Sequence, residues 1–225
     1  MALSQIRRLV LASLLERPDD SHTPAALAAR TGAPERLVAL VLGELARQGL
    51  LEASGDTYSV PDPVELALHA VGMGLDPRRV AESLDWRHFE RFVARALAEY
   101  DYIVARNLRL KPPGGVEVDV LGVGRFYGLA IDCKHWSPRT TSPSKLVEAA
   151  RRHRARIDIL ASRWAETGLA EPGEGLVGVM VTLTDPGVRS LEGVGVVPVS
   201  VFHDFASRVE YYVDELGLHV ARPPG

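Results

Sequence analysis

The chain has 225 residues, 46% of them apolar and 24% charged, with a formal net charge of −3. Such values describe one or two ordinary soluble domains with enough apolar sequence for a proper core. No apolar run approaches the ~18 to 20 residues of a membrane span, and the sequence does not open on a basic segment followed by an apolar stretch and a cleavage site. A cytoplasmic protein without membrane contact is expected. Cys133 is the only cysteine, which excludes an internal disulfide and a cysteine-based zinc site and fits a reducing compartment.

Only 3 of the 26 basic residues are Lys, and Asn107 is the only Asn. Scarce amides suit a hot habitat, and an Arg bias equally suits a GC-rich genome. Charge is unevenly spread: residues 134–164 carry 8 basic and 2 acidic side chains, whereas residues 165–225 carry 3 and 9. A local basic surface can bind a polyanion even on an acidic chain.

In chain order, residues 3–16 have apolar side chains at helical spacing. Thr23 and Pro24 open a second helix over 24–30, Thr31-Gly32-Ala33 makes a turn, and Pro34 opens a third helix that Gly49 closes. LLEASGDTYSV then reads as a hairpin turning at Ser54-Gly55-Asp56. Three helices and a hairpin over residues 3–60 resemble a winged helix-turn-helix, which implies DNA contact through helix 34–48. That helix offers only Arg36 and Arg47 as cations, and Leu37, Val38, Leu40, Val41, Leu42 and Leu45 cover more than half of its circumference. So wide an apolar surface suits dimerisation or docking as well as DNA. Pro61-Asp62-Pro63 marks a boundary, giving the division 1–61 winged helix-turn-helix, 62–84 helical connector and 85–225 carboxy-terminal domain.

In the last of these, a helix over 86–99 carries Phe89, Phe92, Val93, Ala96 and Leu97 as one stripe. Strands are expected at 102–110, 116–123 and 126–134, the last two joined by a tight turn at Gly124-Arg125. A basic helix from Ser142 or Ser144 to Trp164, strands at 175–183 and 194–202, and a helix at 204–216 follow. The fold class expected is α/β, a mixed central sheet flanked by helices.

Carboxylates fall at suggestive places in this order. Glu90 lies at the edge of the buried helix stripe, and Asp119 faces away from Val116, Val118 and Val120. Asp132 and Lys134 share the face opposite Leu129, Ile131 and Cys133. Pairing of the hairpin brings Asp119 near Asp132, so two carboxylates and an ammonium meet on one patch of sheet. Mg²⁺ or Mn²⁺ favours such oxygen donors, here Asp119, Asp132 and the Cys133 carbonyl, with Glu90 available for a second ion. Lys134 can orient or deprotonate an attacking water and balance charge on phosphorus.

Phe89-Glu90, Gly114-Gly115-Val116-Glu117-Val118-Asp119 and Asp132-Cys133-Lys134 resemble the PD-(D/E)XK nuclease superfamily, the restriction-endonuclease-like fold, and within it Mrr-type and archaeal nucleases. The resemblance covers residues 84–205. It implies metal-dependent DNA phosphodiester hydrolysis leaving a 5′-phosphate, with Asp119 and Asp132 as metal ligands, Lys134 as catalytic lysine and Glu90 as the helix acid. Relatives of the Mrr type tend to carry Gln in the following helix; here His153 or Lys145 would stand in.

Lys145, Arg151, Arg152, Arg154, Arg156 and Arg139, with His153, form the best candidate DNA surface. The first reading is therefore a Mg²⁺-dependent endonuclease acting as a homodimer, since cutting both strands of a duplex calls for two sites related by symmetry. Two alternatives stay open: a nuclease fold without activity that serves as a DNA-binding regulator, and a Holliday-junction resolvase. Singly, each acid also reads as part of a solvated ion pair, and Trp136 and Trp164 as packing residues.

Overall fold

The computed structural model of the chain describes residues 2–112, 115–136 and 142–224. Contacts separate a first unit, Met1–His88, from a second, Phe89–Gly225. In the first unit α1 (Leu3–Leu15), α2 (Pro24–Thr31) and α3 (Glu35–Arg47) pack on one another, followed by a hairpin of β1 (Glu52–Ser54) and β2 (Thr57–Ser59). Thr23 caps α2 by accepting the Ala26 N–H at 3.2 Å, and Gly32 ends it in the left-handed region at φ +67°. α4 (Pro63–Gly72), capped by Asp62, occupies the segment read as a connector; it packs against α1 and buries Val64, Leu66, Ala67 and Ala70. α5 (Pro77–Glu82) follows it. The apolar surface of α3 is narrower than its composition suggests, because Val38, Val41, Leu42 and Leu45 are all buried, leaving Leu40 as its exposed large side chain at 51%.

The second unit is a mixed α/β layer structure. α6 (Trp86–Ala98), entered through the Asp85 cap on the His88 N–H at 2.7 Å, buries Phe89, Phe92, Val93 and Leu97. β3 (Ile103–Leu110), β4 (Val116–Val123) and β5 (Tyr127–Lys134) run antiparallel. α7 (Pro143–Ser162) crosses over to β6 (Gly175–Thr182), parallel to β5 and buried throughout. β7 (Ser190–Leu191) and β8 (Val194–Pro198) extend the sheet to the order β3-β4-β5-β6-β8-β7, and β9 (Val220–Ala221) pairs with β6. α7 covers one face through Leu146, Ala150, Ile157 and Leu160 over Ala130, Leu176 and Met180. On the other face, Gly122 lies against α6; a Cβ there would come within 2.4 Å of Leu97 Cδ2.

Two expected elements differ. The strand expected over 194–202 stops at Pro198, whose missing N–H cannot continue a ladder, and a 3-10 turn over Val199–Val201 follows. The helix expected over 204–216 is split into α8 (Phe202–Ser207) and α9 (Val209–Glu215) at Arg208. Asp204 accepts from both Arg208 and Tyr212 across that break. Among the described residues no helix is long and apolar enough to cross a membrane.

His22 ties the first unit together. Its backbone exchanges both hydrogen bonds with Tyr58 of β2 at 2.8 Å, and its Nε2–H donates to the Arg17 carbonyl at 3.0 Å. Burial, helped by the Arg30 guanidinium and against the pull of the Arg17 carbonyl and Asp20, holds the ring below the usual His range. A base depressed in the folded state takes up its proton on unfolding. Stability should therefore be undiminished above about pH 6.5, the unfolded value, and fall as pH drops below it toward the folded value. Urea midpoints at about pH 7.5 and about pH 5.5 check this, the pH-dependent loss being smaller in His22→Gln.

Candidate active site

Register decides which acids meet. The hairpin turns around Arg125 and Phe126, closed by the Gly124 N–H on the Tyr127 carbonyl at 3.1 Å, one residue later than the expected Gly124-Arg125 turn. That shift pairs Val123 with Gly128 and Val120 with Ile131, so the next positions along the ladder are Asp119 and Asp132. Regular pairing of β4 with β5 ends there, at Val120 and Ile131. Beyond it the Asp119 carboxylate takes over, with Oδ2 accepting the Cys133 N–H at 2.8 Å.

Asp119 also sits at a break in alternation. Val116, Val118, Leu121 and Val123 all belong to the cluster under α7, so the face changes phase between 118 and 121. The expectation that Val116, Val118 and Val120 share one face is thus corrected. Opposite Asp119 on β3, Asn107 adopts φ +53°, and the regular ladder skips this pair between Leu108 with Val118 and Arg106 with Val120. A short amide side chain tolerates that left-handed backbone, and such irregularities re-aim side chains.

Asp132 and Lys134 follow Ala130 on the α7 face. Lys134 Nζ lies 2.5 Å from Asp132 Oδ2 and 5.2 Å from the centre of the Trp136 ring. The Arg156 guanidinium reaches Asp132 Oδ1 at 3.8 Å. Glu90 arrives from α6, 9% exposed. Burial first, then the charge of Asp119, with Glu117 and Asp132 adding to it and Arg106 opposing, pushes its carboxyl up to about 7. Asp119 is raised as well, mainly by burial and partly by Asp132, against the Cys133 N–H and the Lys134 and Arg156 cations. Burial and the same carboxylates push the Cys133 thiol well up, so it is an inert neutral group.

The basic surface differs from the expectation. His153 is 1% exposed, its Nε2–H donating to the Ala130 carbonyl at 2.9 Å, and Nδ1 has no hydrogen-bond partner among the described residues. It lies inside the molecule, not on a DNA-facing side, because its position on α7 points at the sheet. Arg156 is turned toward Asp132. Arg151 pairs with Glu192 at 3.0 Å, Arg152 with Glu148 at 3.0 Å, and Arg154 donates to the Glu192 carbonyl at 3.0 Å. Lys145 is exposed near the amino end of α7, where Ser142 is the cap. Arg139 and Gly114 lie outside the described residues. Sequence reasoning missed Arg106 and Glu117 as electrostatic neighbours of Glu90; only the fold of β3 and β4 against α6 brings them there.

Among the described residues no three His, Cys, Asp or Glu side chains converge as a ready metal cage. The donor set nevertheless fits a hard divalent cation. Burial and neighbouring acids raise the Glu90 and Asp119 carboxyls, and Mg²⁺ keeps several waters and needs only one or two carboxylates from protein.

The nuclease-related domain family, NERD, matches residues 85–172, a span that holds Glu90, Asp119, Asp132 and Lys134. The chain therefore carries a nuclease-like domain. An uncharacterized protein of Archaeoglobus fulgidus is 27% identical over 136 residues, 59% of this chain and 98% of its own length. The crystal structure of protein VC1899 from Vibrio cholerae aligns at 12% identity and a TM-score of 0.41, over 94% of this chain. The chain spans half the length of that protein, 50%.

Removing the Asp119 carboxylate should leave the Cys133 N–H without its acceptor while relieving repulsion on Glu90, two effects of opposite sign. Asp119→Ala is expected to change global stability little, within about 1 kcal/mol, yet to accelerate amide exchange at Cys133. Unchanged protection of that amide would show that the bond does not hold the strand end.

Proposed function

We propose that this chain is a divalent-metal-dependent DNA endonuclease of the PD-(D/E)XK type, closest to Mrr-like enzymes, with a winged helix-turn-helix as its amino-terminal unit. The observation that carries this reading is the Asp119 side chain reaching Cys133 at the end of the β4–β5 ladder, beside the Asp132–Lys134 pair. Asp119, Asp132 and the Cys133 carbonyl would hold Mg²⁺ or Mn²⁺, with Glu90 in support, and the ion would supply Lewis acidity and charge neutralisation at a phosphoryl oxygen. Lys134 positions the attacking water and offsets negative charge gathering on phosphorus. The water oxygen bonds to phosphorus in line as the bond to the 3′ oxygen breaks; the water gives up a proton to solvent and the departing oxygen takes one from it, leaving a 3′ hydroxyl and a 5′ phosphate. Arg156 steadies Asp132 from α7.

A second reading, an inactive nuclease fold that binds DNA as a regulator, draws support from the neutralisation of Asp132 by Lys134 and Arg156 without an ion. A Mg²⁺ titration followed by cleavage of linear duplex separates the two, and a four-way junction tests for a resolvase. On the nuclease reading, Asp119→Ala, Asp132→Ala and Lys134→Ala each abolish cleavage while the fold persists, and Ca²⁺ supports binding without cleavage because its looser shell places water poorly. Wild-type activity in any of the three variants would sink the assignment.

DNA contact along α7 rests on Lys145, Arg151, Arg152 and Arg154. The acidic partners of Arg151 and Arg152 are on exposed surface, where such pairs are weak, so phosphate can compete for these arginines. Arg152→Ala should lower the slope of log affinity against log salt by about 1, equally for unrelated sequences; Arg36→Ala in the first unit should change it less.

The exposed Leu40 of α3 supports a homodimer through the amino-terminal unit. Sedimentation of the full chain at micromolar concentration should give a dimer that Leu40→Glu dissociates. A wild-type monomer would refute this.

A further inference from the structure

Beside Lys134, on the α7 face of the sheet, is a cavity of about 330 Å³ that the chemistry above does not use. Its lining is mainly apolar, with Trp136, Leu146 and Val147 of α7, and Val188, and includes Thr184 and Asp185 as polar groups. It adjoins the proposed site by two routes. Trp136, which lines it, holds Lys134 Nζ 5.2 Å from its ring centre. Thr182, also in its wall, is the direct partner of Lys134 across the parallel β5–β6 ladder. The cavity therefore adjoins the lysine through Trp136 and Thr182.

We propose that this cavity receives one unstacked nucleobase of the strand being cut. The proposal rests on the nuclease reading and adds to it that the substrate is a nucleic acid whose base next to the scissile phosphate leaves the stack. A flat aromatic body needs apolar walls and a ring to stack on, which Val147, Val188 and Trp136 supply. It also needs an acceptor for its N–H edge. Half-exposed Asp185 offers one: Oδ1 accepts the Gly187 N–H at 2.8 Å and Oδ2 faces Arg189 at 3.3 Å, so each oxygen keeps a lone pair. Stacking on an aromatic ring contributes ~1 to 3 kcal/mol per base, enough to offset the few kcal/mol of unstacking in a mismatched or single-stranded region.

Duplexes carrying 2-aminopurine at successive positions test this with the full chain in Ca²⁺, saturation being judged by anisotropy of an end label. One position should brighten several-fold on binding, and Val147→Trp, which fills the cavity from the surface of α7, should remove that rise while anisotropy still reports binding. Binding with every position still quenched would overturn this inference and leave the nuclease reading standing. Absence of DNA binding would sink the nuclease reading and this inference with it. Quenching of tryptophan emission by free deoxynucleoside monophosphates that is lost in Trp136→Phe, without any unstacking in DNA, would make the cavity an effector site and also overturn the proposal.

Discussion

The carboxylate of Asp119 accepting the Cys133 N–H is the contact on which the arrangement of the candidate site depends. Two antiparallel strands that stop pairing leave backbone donors exposed, and a buried donor without a partner is costly. A side chain closes that gap in place of the ladder. Because the side chain is an acid, the splayed strand end is also where negative charge collects: Asp132 is one ladder step beyond Ile131, and Glu90 feels both acids from α6. One bond thus serves pairing and concentrates charge.

Counter-charge comes mainly from the opposite side of the sheet. Lys134 shares a face with Asp132, and Arg156 reaches the same acid from α7. Cations sit at Asp132, whereas Glu90 and Asp119 carry the raised carboxyls. That polarity gives the site a cationic side and an acidic side, with the Trp136 cavity on the cationic one.

Legibility in the sequence varied with the range of the interaction responsible. Caps at Thr23, Asp62, Asp85 and Ser142 act within three residues, and each opens its helix as local chemistry dictates. The stripe of α6 and the alternation of β5 are likewise local periodicities. The turn between β4 and β5 was misplaced by one residue because Gly124 looked like a turn residue; in the folded unit it sits against Tyr102, where a Cβ would come within 2.6 Å of that ring. The basic composition of α7 was visible, but not that Arg156 and His153 point at the sheet while Arg151 and Arg152 pair with acids on the surface.

The sequence by itself determined the order of elements from α6 to β6 and the four candidate groups Glu90, Asp119, Asp132 and Lys134, because order and residue type are properties of neighbours along the chain. Tertiary structure decided which of those groups touch. The phase slip opposite Asn107, the end of the ladder at Val120, and the depth at which Glu90 lies all follow from packing α6 and α7 on two faces of one twisted sheet. Those positions come from surfaces far apart in the chain, and spacing along the chain carries no information about distances between layers.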